Sequence, residues 1–423
     1  MYKLLYYLLI ILTIYIDSPL QESMGAFGLS LLSPLSIILY LLLFPVVKKQ
    51  SDMFISTFNR LLLYTILISL VSFVVISLMG YSLTIREEYL PVKSIKVLLY
   101  FVSATCYLKL LLLFTQGMTI TQMLRPFLIT FILLTGILFI ELLSPDLLEI
   151  IHYLDRSNNR IRLLAGEASW TASMIEIFFA ISLYYVWFYK KSLFLSIAVV
   201  AMFVIHVLLS TSKTLLVASF IAIVYIIIQR FKQTRRSTMI WSLVFLIPVF
   251  AFLYIFLLPQ IELLFMNDIE DHTSTVTRGL TNFSAVIIGL IYPIGTGFCA
   301  YLILMPNMIS RLLAYVGAYN TEELFMYLQS SSDAALSAKS FLTQNTMYWG
   351  IVGTVVFLRA FIKLYHRCFE KNNLKGGWFL KCVFWIILIQ ISFSSNLQYD
   401  ILAFIFIMIF LSKRSCEIKK VKL

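Results

Sequence analysis

Long runs of apolar residues constrain the fold of this chain more than any other feature. They recur along the sequence at lengths of about 17–20 residues, enough for an α-helix to cross a hydrocarbon core of about 30 Å. Because 61% of the 423 residues are apolar and only 13% are charged, too few polar side chains are present to cover a water-facing surface. These features predict an all-α, polytopic membrane protein and exclude a soluble helical bundle.

The hydropathy pattern predicts about 12 transmembrane helices in a single transmembrane domain over residues 1–423. Their predicted bounds are Leu4–Ile16, Phe27–Val47, Leu61–Met79, Val97–Thr115, Phe127–Leu143, Trp170–Tyr189, Ser192–Ser210, Thr214–Ile228, Thr238–Leu258, Asn345–Leu364, Trp378–Phe393 and Tyr399–Leu411. The first run is short enough for a signal peptide, but residues 17–21 offer no small-x-small cleavage site. We therefore count it as a span.

The net charge of +12 follows the positive-inside pattern of membrane proteins. With a cytoplasmic N-terminus, the predicted inner loops and both tails hold more than half of the 33 basic residues, Arg60 and Arg367 among them. The same segments contain few acids. The charge therefore predicts that both termini are cytoplasmic, and it argues against a nucleic-acid partner.

Two long extracytoplasmic loops are predicted, at residues 144–169 and 259–344, and loops of such length often carry function. Residues 284–306 of the second loop are apolar enough to form another span. Counting them as one would place the basic C-terminal tail outside, against the charge pattern. We therefore expect this segment to be re-entrant or to lie along the outer interface, with a break at Pro293 and at 295–297.

Basic residues in the predicted outer segments are the first candidates for a functional site, because positive-inside bias works against them. If they converge on one cleft, their guanidinium and ammonium groups suit phosphate or pyrophosphate. Ordinary solvated loop charges are the alternative interpretation. The candidates for pyrophosphate binding are Arg160, Arg162, Lys213, Arg278 and Lys339.

Two acidic residues are candidates for chemistry. Glu167 lies directly before the helix predicted from Trp170, at the membrane surface, where partial desolvation favours a general base; helix capping with Ser169 is the alternative. Glu176 is an intramembrane acid, for which we predict Lys213 as a partner. An acidic stretch at 268–272 resembles a surface turn more than a cation site, so we predict neither a metal nor a cofactor.

Three patches resemble the Wzy-type O-antigen and exopolysaccharide polymerases and the related O-antigen ligases. The stretch Arg160-Ile-Arg-Leu-Leu-Ala-Gly-Glu-Ala-Ser169 is similar to the family's Arg-x-x-Gly-x-x-x-Glu-Pro-Ser, with the glycine displaced and alanine in place of proline. Arg278 followed by Tyr292-Pro-Ile-Gly-Thr-Gly-Phe298 resembles an arginine ahead of Pro-x-Gly-x-Gly.

The third patch separates the two branches of this superfamily. Ligases of the superfamily place a histidine, followed directly by Asn, Ser or Gln, nine residues before a Gly-x-x-Gly. Here Gly350-Ile-Val-Gly353 and Ser340 fit that spacing, while Lys339 occupies the histidine's position. This departure favours a polymerase over a ligase.

The resemblance implies a membrane-embedded glycosyltransferase of the C type (GT-C) in the bacterial inner membrane. Its expected substrate is an oligosaccharide repeat unit on undecaprenyl pyrophosphate, with a chain-length regulator and a flippase as further partners. In this interpretation Glu167 and Arg278 are catalytic, and Arg160, Arg162, Lys213 and Lys339 bind pyrophosphate. The alternatives are an O-antigen ligase, a flippase or other 12-span transporter, and a structural membrane protein, although a transporter predicts internal repeats and broken helices in matching halves.

Overall fold

The computed structural model describes residues 1–85, 88–149, 151–152, 161–166, 168–209, 215, 274–298, 300–316, 328–329, 338, 340–369, 376–393 and 397–421. Within these ranges the chain is mostly helical. Apart from residue 215, the predicted spans 214–228 and 238–258 lie outside them.

The helices of the first half differ widely in length. They are α1 (Tyr2–Ile11), α2 (Gln21–Met24), α3 (Leu32–Leu42), α4 (Phe44–Val47), α5 (Met53–Leu78), α6 (Leu90–Phe114), α7 (Ile120–Leu143), α8 (Pro145–Glu149), α9 (Ala168–Tyr185) and α10 (Leu193–Leu209). Short 3-10 segments follow α1 and α2, at Leu12–Ile14 and Gly25–Leu29, and a π-helical turn, Val186–Lys190, follows α9. A small antiparallel hairpin, β1 (Thr84–Ile85) and β2 (Glu88–Tyr89), precedes α6.

The second half contains α11 (Ser274–Ile291), α12 (Tyr301–Val316), α13 (Phe341–Phe369), α14 (Gly377–Phe393) and α15 (Tyr399–Val421). The α13 helix packs against α5, α11, α14 and α15. A continuous apolar core therefore joins both halves of the chain, with Trp349 of α13 fully buried in it.

Within the described residues, 5 helices are long and apolar enough to cross a membrane, or up to 6 if one bent pair counts as a span. The five are Met53–Leu78, Leu90–Phe114, Ile120–Leu143, Trp170–Lys190 and Phe341–Phe369. Four further apolar helices are shorter. The predicted class, a polytopic helical membrane protein, is consistent with this architecture, while the number 12 and the GT-C fold stay predictions.

The predicted second span, Phe27–Val47, is wrong as a continuous helix. Helical residues Gln21–Leu29 and Leu32–Leu42 meet at an angle of 71°. Ser30 holds this bend because its hydroxyl accepts from the Leu32 N–H, at 3.3 Å, and donates to the Tyr15 carbonyl, at 3.0 Å. The bent pair also begins and ends earlier than predicted, at Gln21 and Leu42. The count of apolar residues ignored the side-chain hydrogen bonds that compete with the helix.

One end of α5 is joined to the far end of α13. Asp52 caps α5 by accepting from the Phe54 N–H at 2.8 Å, and its other carboxylate oxygen accepts from Arg367 at 3.3 Å. The charge distribution predicts this end to be cytoplasmic. The ion pair therefore fixes the start of α5 against the last turn of α13.

Candidate functional site

The predicted break in the second loop is confirmed, because α11 ends at Ile291 and α12 begins at Tyr301. The turn between them lies against the central part of α5. The Tyr64 hydroxyl donates to the Ile294 carbonyl at 2.6 Å, and the Ser72 hydroxyl donates to the Thr296 carbonyl at 2.7 Å. The α11–α12 hairpin thus carries irregular backbone into the helical bundle, where protein groups satisfy it.

The opposite side of this turn contacts α13, at the place where that helix is interrupted. Gly350 has φ 67° and ψ 179° inside α13, a conformation that essentially only glycine adopts. The N–H groups of Thr296 and Gly297 donate to the carbonyls of Met347 and Tyr348, at 3.0 and 3.2 Å. The carbonyls freed by the break in α13 therefore bind the turn.

The spacing of the Gly-x-x-Gly patch has a structural reason. A Cβ on Gly350 would lie 2.1 Å from the Pro293 carbonyl oxygen, and one on Gly295 would lie 2.2 Å from the Tyr348 oxygen. Gly353 packs against its own helix, where a Cβ would meet the Trp349 Cβ at 2.4 Å. The second and third sequence patches thus form one packed unit.

Arg278 lies near the start of α11, half-buried, one turn before Asn282. The Asn282 side-chain oxygen accepts from the Thr343 hydroxyl at 2.9 Å, and Thr343 contacts the Ser340 hydroxyl at 2.7 Å. Ser340 in turn donates to the Ser392 carbonyl at 2.9 Å. We call Asn282, Ser340, Thr343 and the end of α14 at Ser392 the polar layer; Arg278 lies about 6 Å further along α11, at 1.5 Å per residue.

Arg162 belongs to a second cluster, which is buried. Its side chain is 8% exposed, and its Nη1 lies 4.0 Å from Asp17 Oδ2. His152 Nδ1 is 2.7 Å from the same oxygen, and its Nε2 is 2.9 Å from the Leu163 carbonyl. The carboxylate of Glu141 accepts from the backbone N–H groups of Arg162 and Leu163, at 3.0 and 2.8 Å. We call Asp17, Glu141, His152 and Arg162 the anchor cluster.

Two buried acids lie between the anchor cluster and the polar layer. Ser173 of α9 donates to Asp400 of α15 at 2.9 Å, and Gln390 of α14 donates to the carboxylate of Glu176. The Thr171 hydroxyl, one turn before Glu176, donates to the Arg162 carbonyl at 2.6 Å. Gln390 and Asp400 thus contact α9 on either side of Ser392, which belongs to the polar layer.

The structure places two of the six predicted site residues: Arg162 in the anchor cluster, and Arg278 one helical turn from the polar layer. The other four, Arg160, Glu167, Lys213 and Lys339, lie outside the described residues, so their roles stay predictions. Lys213, the predicted partner of Glu176, is among them; the partner that the structure gives for Glu176 is Gln390.

Sequence reasoning missed most of the anchor cluster. The sequence around His152 offers it no partner, because the partner, Asp17, lies 135 residues away. Glu141 carried a usable signal, since an acid inside a predicted span is a functional candidate by default. Asp400 carried the same signal. Among the residues with described positions, no three His, Cys, Asp or Glu side chains form a group that could hold a metal ion.

Comparison with known proteins points to one superfamily. Residues 197–358 match the family model described as O-antigen ligase. This range contains α11, α12 and the broken part of α13, with Arg278 and the positions of Lys213 and Lys339, but neither Arg162 nor Glu167.

A second similarity is with a protein of Klebsiella pneumoniae, described as an uncharacterized 49.5 kDa protein in a cps region. It is 26% identical over 156 residues, which is 36% of this chain and 36% of that protein, so the match spans about a third of its length. No solved structure matches the chain. Together these similarities support a relationship with the O-antigen ligase and polymerase superfamily, whose members act on polysaccharide in membranes.

Proposed function

We propose that this protein polymerises oligosaccharide repeat units carried on undecaprenyl pyrophosphate, at the periplasmic face of the bacterial inner membrane. The observation that carries the proposal is the position of Arg278 on a hairpin that enters the bundle, inside the region that matches the O-antigen ligase family model. A flippase and a chain-length regulator would be its partners. The similarity to a protein from a cps region agrees with a role in surface polysaccharide.

The length of α11 supports a headgroup contact for Arg278. The turn after α11 contacts Tyr64, Ser69 and Ser72, near the middle of the 26-residue α5. From the turn to Arg278, α11 rises by about 20 Å at 1.5 Å per residue. Because half of a hydrocarbon core is about 15 Å, this rise brings the guanidinium to the depth of a lipid headgroup.

In this proposal the acceptor sugar hydroxyl attacks the anomeric carbon of the donor. The new glycosidic bond forms as the bond from that carbon to the pyrophosphate oxygen breaks, and the lipid pyrophosphate departs with its electron pair. Glu167 accepts the hydroxyl proton. Arg278 neutralises the charge that grows on the leaving group, together with Arg160 of the first patch and Lys339 of the third. A general acid is therefore not required.

Arg162 and Lys213 complete the predicted pyrophosphate set. The anchor cluster supports an indirect role for Arg162, because its guanidinium already faces Asp17 and its backbone is fixed by Glu141. In that role it holds the segment that leads to Glu167 against α9. Direct binding of pyrophosphate by Arg162 stays a prediction.

The test is the chain-length pattern of surface polysaccharide in cells that carry Arg278→Ala or Arg278→Lys at normal membrane levels. We expect single repeat units and no ladder for the alanine variant. The lysine variant should give a short or faint ladder, because an ammonium cannot reproduce the planar guanidinium fork. Arg311→Ala is the matched control, since Arg311 lies exposed on the neighbouring α12. A full-length ladder from Arg278→Ala would remove Arg278 from the site.

A ligase is the second candidate, and the description of the matching family model favours it. Lys339, at the position where ligases carry histidine, favours the polymerase. Deletion of the gene separates the two. Loss of a polymerase leaves single repeats attached to the acceptor, whereas loss of a ligase leaves long chains on undecaprenyl pyrophosphate and none on the acceptor.

A further inference from the structure

A groove between α5 and α13 carries three cations at the end of the bundle opposite to Arg278. It has a volume of about 430 Å³, and its lining includes Arg60, Arg359 and Lys363. All three side chains are exposed. Among the residues that the structure describes, none of the three has a hydrogen bond or ion pair to another protein group.

These cations lie within the two candidate spans rather than at their ends. The Asp52–Arg367 ion pair, which joins the start of α5 to the last turn of α13, serves as the reference level. Arg60 on α5 and Arg359 on α13 both lie about 12 Å from that level along their helices, at 1.5 Å per residue. Lys363 lies about 6 Å from it. Arg60 belongs to helix α5 rather than to a loop, and its position toward the inner side stays a prediction.

Charged side chains in the hydrocarbon are expensive unless they meet an opposite charge or reach the interface. Three like charges around one groove also repel each other, and a bound anion would remove this repulsion. Asp52 is already paired with Arg367. The remaining walls are apolar and include Leu61 and Val356, which suit acyl chains rather than a soluble anion.

We propose that this groove binds an anionic phospholipid of the leaflet at the Asp52 end, which the charge pattern predicts to be the inner one. The lipid phosphate lies between Lys363 and the two arginines, and an acyl chain follows the apolar wall. The deep end of the groove includes Tyr64 and Val352, which bond the carbonyls of Ile294 and Pro293 in the α11–α12 turn. A bound lipid therefore packs against the residues that hold the turn, on the side that faces Asp52. This proposal is independent of the reaction proposed above.

The test measures the melting temperature of the purified full-length protein in detergent with added phosphatidylglycerol, phosphatidylcholine or inorganic phosphate. We expect stabilisation by phosphatidylglycerol alone. Arg60→Gln/Arg359→Gln/Lys363→Gln should weaken binding of phosphatidylglycerol roughly 100-fold, from the contribution of each cation near an anionic lipid. The control variant Lys3→Gln/Lys48→Gln/Lys49→Gln removes three charges at the same end but outside the groove.

A second pair of variants leaves the charges in place. Val356→Trp fills the groove and should abolish stabilisation by phosphatidylglycerol, whereas Val355→Trp should not. The two valines are matched, with exposures of 38% and 39% on the same helix, but only Val356 lines the groove. The proposal is overturned if inorganic phosphate stabilises as well as phosphatidylglycerol does, or if the lipid effect survives both the triple glutamine change and Val356→Trp.

Discussion

Gly350→Ala tests whether the broken helix α13 holds the α11–α12 turn. At φ 67° and ψ 179° an alanine stores strain of about 1–3 kcal/mol. Its Cβ would also stand 2.1 Å from the Pro293 carbonyl oxygen and 2.4 Å from the Gly295 nitrogen. Both neighbours are backbone atoms, so the turn must move, which adds about 1–3 kcal/mol as in other overpacked sites. The expected loss is therefore about 2–6 kcal/mol.

Gly279→Ala is the matched control. Gly279 lies in α11, and among the described residues no atom beyond its own helical turn lies within 4 Å of the place that a Cβ would occupy. Because alanine is a better helix former than glycine, this change should be neutral or stabilise by roughly 0.5–1 kcal/mol. The pair therefore contrasts the same chemical change at a tight position and at an open one.

The difference in melting temperature is measured on the purified variants in mild detergent, with fluorescence-detected size exclusion as the readout. Gly350→Ala should melt about 2–7 °C below wild type, and Gly279→Ala at or above it. The polysaccharide ladder should shorten only for Gly350→Ala. Equal melting temperatures for both variants would refute the tight contact between Gly350 and the turn.

Three further predictions address topology, catalysis and the anchor cluster. A reporter fused at Asn320 should read periplasmic; a cytoplasmic signal would mean that residues 284–306 span the membrane. Glu167→Gln should lower the polymerisation rate of purified protein on the order of 10²–10⁴-fold, and a near wild-type rate would place the base elsewhere. Glu141→Gln should destabilise the protein by about 1–3 kcal/mol, because the amide NH2 group cannot accept and leaves one of the two backbone N–H donors without an acceptor. Glu22→Gln, at an exposed position, is its control in the same melting assay and should leave the midpoint unchanged.

Helix positions were predictable where apolar residues run without interruption. The predicted Phe127–Leu143 ends at the residue where α7 ends, although α7 begins earlier, at Ile120. That earlier start contains Arg125, and a hydropathy window stops at a charge while a helix does not. The break at Pro293 and Gly295 was also predictable, because the backbone preferences of proline and glycine are local and hold wherever these residues occur.

The clusters were less accessible to sequence reasoning, because their partners are far apart along the chain. Tyr64 bonds Ile294, 230 residues away, and His152 bonds Asp17, 135 residues away. Pairing of this kind depends on which helices are neighbours, and hydropathy does not contain that information. The sequence did place Arg278 beside a broken helix, but it gave no reason to expect the cationic groove around Arg60, whose members come from two distant spans.

The attachment of the first loop to the N-terminal segment limits how this protein can be recombined. The Ile16 N–H donates to the Leu164 carbonyl at 2.8 Å, and Ile16 forms a parallel bridge with Ala165. Together with the contact between Asp17 and His152, this makes the loop and the first helix one exchangeable module. A chimera that imports residues 144–169 from a relative should fold only when residues 1–30 are imported with them, and a library of donor specificities built by loop exchange alone would lose this joint at every crossover.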